Sequence, residues 1–197
     1  MSGPHEVAER MLSRKLDQAA VHMGLEDELL PTGSKRIKSA SRTKEPDSSW
    51  RPRSLPVCRT TPWPTVVINS GCSGSLSRLR FEAHWWMTSS RGGVNAVIII
   101  AIHSSHPQLV LEKWIPGRST GHVSGTRTQE ITIIRGLDNV FTTAGAPLTI
   151  AFEEMFLGKA NSGESDIVVP VEVLEGAGNS TGYLFLGKAE LKILFSF

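Results

Sequence analysis

Apolar residues recur along the first twenty positions at the spacing of one helix face. Val7, Met11, Leu12, Leu16, Ala19, Ala20 and Met23 keep to a broad stripe, while Glu6, Glu9, Arg14, Lys15 and Asp17 fall largely off it. Pro4 suits the first turn of such a helix and Gly24 the position just past its end, so the pattern predicts a helix over 4–23. Leu25 to Leu30 follows with the acidic cluster Glu26-Asp27-Glu28, and Pro31 breaks it. Periodicity is then lost. Residues 33–64 are rich in Ser, Arg, Lys and Pro, and Pro46, Pro52, Pro56, Pro62 and Pro64 exclude a long regular element. Trp50 and Trp63 within this stretch predict packing all the same, because an indole is seldom left wholly in water.

The pattern changes again at Thr65. Thr65-Val66-Val67-Ile68 is a short β-branched run, the mark of a strand buried on both faces. After Gly71 and Gly74, Leu76, Leu79, Ala83 and Trp86 recur at three and four, which predicts a helix over 75–88 ended by Gly92-Gly93. A central strand is expected over 94–103. The turn Ser104-Ser105-His106-Pro107 joins it to a second strand over 108–114, where Leu109, Leu111 and Lys113 alternate with Val110, Glu112 and Trp114. Residues 117–128 read as a Gly/Ser/Thr/Arg loop before a strand over 130–135. Residues 148–157 fit a strand or a short helix equally, and 166–173 begin as a strand that Pro170 stops. This order predicts an α/β (α+β) fold with a mixed sheet flanked by helices.

At 197 residues and 40% apolar content the chain can bury a sizeable core. One domain is expected over 1–177, with 33–64 as a basic proline-rich segment inside it and 178–197 as a divergent C-terminal segment. A net charge of +2 hides an uneven distribution. Residues 34–59 hold eight Lys/Arg against Glu45 and Asp47, whereas 60–197 hold ten basic and eleven acidic residues. The basic segment can attract a nucleic acid through its phosphates, or it can be a solvated linker. The first twenty residues lack the continuous apolar region of a secretory signal, and the run from Ala96 to Ile102 is too short to span a bilayer. With two unmatched cysteines, Cys58 and Cys72, reduced thiols in a cytoplasmic or nuclear protein are the expectation, and the acceptor Asn179-Ser180-Thr181 is idle there. No membrane partner is expected, and no protein partner can be read from the chain.

The pattern with chemical content is Lys44-Glu45-Pro46-Asp47, followed by Val66-Val67-Ile68-Asn69 leading into a helix. Pro62 to Asn69, Leu76 to Trp86 with its Trp85-Trp86 pair, Val97 to Ile102 and Leu111-Glu112-Lys113-Trp114 resemble a group of uncharacterised fungal proteins, as does Lys44 to Pro52. Those are more remotely similar to bacterial restriction endonucleases of the PD-(D/E)XK type. The resemblance covers residues 5–175. It implies a nuclease-like fold in which two carboxylates on neighbouring strands hold Mg²⁺, the metal activates water, and a lysine steadies the developing charge. On this resemblance Asp47 matches the first metal-binding acid. Asn69 stands where the group has glutamate, and no lysine follows, since that position is Gly71. An asparagine offers a neutral carbonyl oxygen and no charge. Taken without the resemblance, Asp47 beside Pro46 is a turn residue, and Asn69 bonds to backbone at a strand end.

Other constellations are thinner. Asn69-Ser70-Gly71-Cys72-Ser73-Gly74-Ser75 lies between a strand and a helix but fits neither the Walker lysine motif nor the dinucleotide fingerprint. Gly71-Cys72-Ser73-Gly74 is one residue short of a nucleophile elbow, with no Asp/His pair to complete it. His103, His106 and His122 lie near a hairpin turn and beyond it, and solvated histidines explain them as well as a metal does. Trp85-Trp86 and Trp114 read as core anchors rather than base-stacking platforms.

Three functions follow. The resemblance, with Asn69 in place of the acid, implies a catalytically degenerate restriction-endonuclease-like protein with a binding or scaffold role. Alternatively it is an active Mg-dependent nuclease, with Glu82 or Glu112 supplying the missing carboxylate and Arg78 or Lys113 the positive charge. The third reading is an unrelated β-rich interaction module.

Overall fold

The N-terminal stripe forms helix α1, Pro4–His22. The computed structural model describes residues 4–39, 42–54, 63–72, 76–103, 107–119, 122–136 and 140–182. Gly24 has φ +69°, the left-handed conformation that lets the chain leave the helix. A short strand β1, Leu29–Pro31, follows, and then a two-stranded ribbon of β2, Ile37–Lys38, and β3, Thr43–Lys44. Among its described residues the proline-rich stretch holds one longer strand, β4, Ser48–Pro52, in which Trp50 is buried. Trp63 is buried too, so both indoles pack as their chemistry requires.

The β-branched run opens β5, Val66–Cys72, whose first four residues are buried. Helix α2, Leu76–Ser89, crosses back to β6, Ala96–His103, which pairs with β5 in parallel. A parallel pair needs such a crossover, because no tight turn can join two strands running the same way. Every other neighbouring pair in the seven-stranded sheet is antiparallel. Its order is β1-β4-β5-β6-β7-β8-β9, with β7 Gln108–Ser119, β8 His122–Arg135 and β9 Phe141–Ala144.

A second, two-stranded sheet pairs β10, Leu148–Ile150, with β11, Ile167–Val169. The ambiguous run over 148–157 contains both options, β10 and then the short helix α3, Phe152–Phe156. Pro170 ends β11, and helix α4 runs Val171–Gly182, into the region expected to be divergent. Residues 183–197 lie outside the described residues.

The alternation of β5 and β6 divides the core into two layers. Val66, Ile68, Ile98 and Ile100 pack with Leu12 and Leu16 of α1 and Leu174 of α4. Val67, Val97 and Ile99 pack on the other face with Leu79, Ala83 and Trp86 of α2. Each fully buried aliphatic side chain contributes about 2 kcal/mol. The molecule is thus a mixed α+β fold, a large mixed sheet flanked by helices.

Within the expected loop over 117–128, residues 117–119 and 122–128 instead belong to β7 and β8, paired from Gly117↔Ser124 to Ser119↔His122. A register shift between Lys113 and Trp114 allows the ladder to continue. The side chains that read as loop-like include Thr126, Thr128 and Val123, which are β-branched and suit a strand once a partner is present.

Candidate functional site

Pro46 is buried and brings Asp47 to the start of β4, where its backbone NH donates to the Ile68 carbonyl of β5 at 3.1 Å. The Asp47 carboxylate accepts from the Ser70 backbone NH at 2.5 Å and from the Ser70 hydroxyl at 2.8 Å. It lines an open groove of 810 Å³ together with the polar face of α1, including His5, Glu9, Arg10 and Arg14, and Glu45 and Ser48 beside it. Glu9 was expected off the buried face of α1, yet it is only 7% exposed. Its carboxylate accepts from the Ser13 hydroxyl at 2.7 Å and also from the Ser48 hydroxyl of β4, and these two bonds make burial of the charge tolerable. One helical turn pair further on, Asp17 accepts from the Trp50 indole NH at 2.8 Å. These helix–strand bonds lie 33 and more residues apart in sequence, so no local spacing announces them.

Asn69 is the next residue along β5 from Ile68, so its side chain emerges on the opposite face, under α2. It is 5% exposed. With the amide oriented to satisfy both ends, Nδ2 donates to the Ile68 carbonyl and Oδ1 accepts from the Trp86 indole NH, each at 3.0 Å. The end that faces Trp86 lies 3.5 Å from Oε2 of Glu82. Glu82 in turn is held by Lys44 Nζ at 3.1 Å and Arg78 Nε at 3.9 Å. Lys44 also lies over the Trp85 ring, 5.5 Å from its centroid, and Arg42 lies over the Phe81 ring at 5.9 Å.

Two strands further across the sheet, Glu112 of β7 lies level with Asn69, with Ile99 between them. Its carboxylate is fully buried and accepts from Arg80 of α2 at 2.5 Å, Arg127 of β8 at 2.9 Å and the Trp114 indole NH at 3.0 Å. Burial alone raises the pKa of this carboxyl. The bonds from Arg80, Arg127 and Trp114 outweigh that effect and hold it below the usual carboxylate range. Arg127 is also paired with Glu130. Lys113 points the other way along the sheet, donating to the Thr149 carbonyl at 2.8 Å and pairing with Glu154 of α3 at 2.7 Å.

The two positions picked out by the Pro-Asp pattern are therefore neighbours in backbone register but not in side-chain environment. Asp47 is engaged on the α1 side of β5, and Asn69 on the α2 side. Of the alternative groups, Glu82 and Arg78 do gather near Asn69, while Glu112 is neutralised by two arginines and Lys113 is tied to α3. His103 pairs with Gln108 at one end of β7, and His122 with Ser119 at its other end, so the twelve residues of β7 keep them apart. His106 and Ser73-Gly74-Ser75 lie outside the described residues. Trp85, Trp86 and Trp114 are buried in the layer under α2, as core anchors. Among the described residues no three His, Cys, Asp or Glu side chains converge to hold a metal ion. Among them, too, no helix is long and apolar enough to cross a membrane.

No protein-family model matches the chain, and no curated protein matches it. Among solved structures the chain is similar to a candidate nuclease belonging to DUF820 from Anabaena variabilis. The two are 10% identical, the match covers 90% of this chain and 83% of that one, and the TM-score is 0.48.

Proposed function

We propose that this chain is a restriction-endonuclease-like protein whose metal site is degenerate and which acts by binding rather than by cleavage. The observation that carries the reading is Asn69. At the position where the resemblance implies an acid stands a neutral amide, buried and with both ends satisfied by Ile68 and Trp86. Mg²⁺ wants several oxygen ligands, preferably anionic, converging on one point. One carboxylate and one amide engaged on different faces of a strand do not fit that requirement. No catalytic step through a metal is derived for them.

The partner that the charge distribution favours is a nucleic acid. Lys35, Lys38 and Arg42 of the basic segment are exposed, and Arg42 stands over the exposed Phe81 ring beside Arg78 of α2. Some of the segment's positive charge is used within the molecule, since Arg36 pairs with Glu45, Lys44 with Glu82, and Arg53 donates to the Asp27 carbonyl. What is left on the surface suits a sequence-independent contact with phosphates.

The deciding experiment is a cleavage assay on single- and double-stranded DNA and RNA with Mg²⁺ or Mn²⁺. The expected result is no cleavage above background by the wild-type chain. Metal-dependent cleavage that disappears in Asp47→Ala or Glu82→Ala would overturn the reading. The Glu82 arm addresses the rearranged site directly, because the Glu82 carboxylate lies 3.5 Å from the Asn69 side chain.

A further inference from the structure

Cys72 closes β5 two residues beyond Ser70, so it projects from the same face of the strand, toward α1. The residue is exposed, and its Sγ lies 3.6 Å from Nδ1 of His5 in the first turn of α1. The two are 67 positions apart in sequence, so the contact is made by the packing of α1 on β5. His5 lines the 810 Å³ groove and Cys72 is itself exposed, so both members of the pair are open to a small molecule. Gly71-Cys72-Ser73-Gly74 lacks a partner base when read along the chain. The fold supplies one.

We propose that Cys72 and His5 form a thiol–imidazole pair and that Cys72 is a site of mixed-disulfide formation with low-molecular-weight disulfides. A cysteine becomes a competent nucleophile when a base within hydrogen-bond reach can take its proton as sulfur attacks. The imidazole accepts the proton from Sγ at Nδ1. The sulfur then attacks one sulfur of the incoming disulfide, forming a new S–S bond as the old one breaks. The displaced half leaves as a thiolate and is protonated from His5. The incoming disulfide is the oxidant, so electrons and protons balance without a further reactant.

The test uses the full chain carrying Cys58→Ser, so that Cys72 is the remaining one of the two cysteines. The reduced protein is mixed with oxidised glutathione at pH 7, and adduct formation is followed by intact mass. Cys72 is expected to react at least about tenfold faster in the folded protein than in the same chain unfolded in urea. His5→Gln is expected to bring the folded rate down to the unfolded one, with unchanged thermal melting. The inference is overturned if folded Cys72 reacts no faster than unfolded Cys72. It is overturned equally if His5→Gln, still folded, keeps the wild-type rate. Neither result bears on whether the chain cleaves nucleic acid.

Discussion

Glu112 has no exposed surface, yet it carries a charge whose partners reach it from two different elements. Arg80 and Arg127 keep part of their own side chains in water, so the cost of desolvation falls mainly on the carboxylate. Removing the acid leaves two adjacent guanidinium groups and a hole; removing its charge leaves their hydrogen bonds weakened. Glu112→Ala is expected to destabilise the fold by about 3 kcal/mol and Glu112→Gln by less, as read from chemical denaturation. The pH dependence has a definite sign. Because the folded carboxyl is held below its usual range, its contribution is complete above the unfolded carboxylate pKa and is lost as pH falls through the folded value. The wild type should therefore lose stability on acidification below the ordinary carboxylate range, and Glu112→Gln should lose less over the same window. Equal acid sensitivity of the two proteins would rule out this role. Residue identities alone named Glu112 as a possible ligand. Only the convergence of Arg80 and Arg127 identifies it as a neutralised core charge.

At the scale of elements, sequence patterning locates those whose burial is continuous. The β-branched run at 65–68, the three–four spacing of α2 and the isoleucines of β6 each specify an element by local chemistry. The far end of the β7–β8 hairpin was not legible, since Gly, Ser and Thr become a strand there only because the partner strand offers its hydrogen bonds. The turn after β9 shows a tighter constraint. Gly145 has φ +83°, and a Cβ added there would run into the Glu130 carbonyl of β8. The backbone cannot yield cheaply, because Glu130 is already bound into the ladder with Glu112. Gly145→Ala is expected to cost about 3 kcal/mol through strain and displacement of β8, again by denaturation. Gly163, also at positive φ but with nothing within 4 Å of an added Cβ, is the matched control and should cost clearly less.

At the scale of the whole molecule, charge rather than shape sets the expected mode of association. The ribbon β2–β3 meets α2 through Ile37 and Lys44, Arg42 lies over the Phe81 ring, and Lys38, Arg42 and Arg78 are all exposed. A nucleic acid held there through phosphates should bind less tightly as salt rises, by roughly tenfold or more between 50 and 200 mM. The combined variant Lys38→Glu, Arg42→Glu and Arg78→Glu should flatten that dependence, as measured by fluorescence anisotropy with a labelled oligonucleotide. Binding that is absent at low salt, or that is unchanged in the variant, would remove this surface from consideration.

The order of hydrophobic and polar positions by itself determined the helices α1 and α2, the buried strands β5 and β6, the alternation of β7 and the breaks at Pro31 and Pro170. These depend on period and on local backbone chemistry, which a linear chain carries complete. The Pro-Asp pattern also picked out Asp47 and Asn69 as residues with chemical potential. Which faces they present, and to what, was decided by tertiary structure alone. The pleat of β5 sends Asn69 under α2 and Ser70 toward α1, Asp47 follows Ser70, and α1 returns from the start of the chain to place His5 against Cys72. Such pairings arise from contacts between residues tens of positions apart, and a period of two or three and a half contains no information about them.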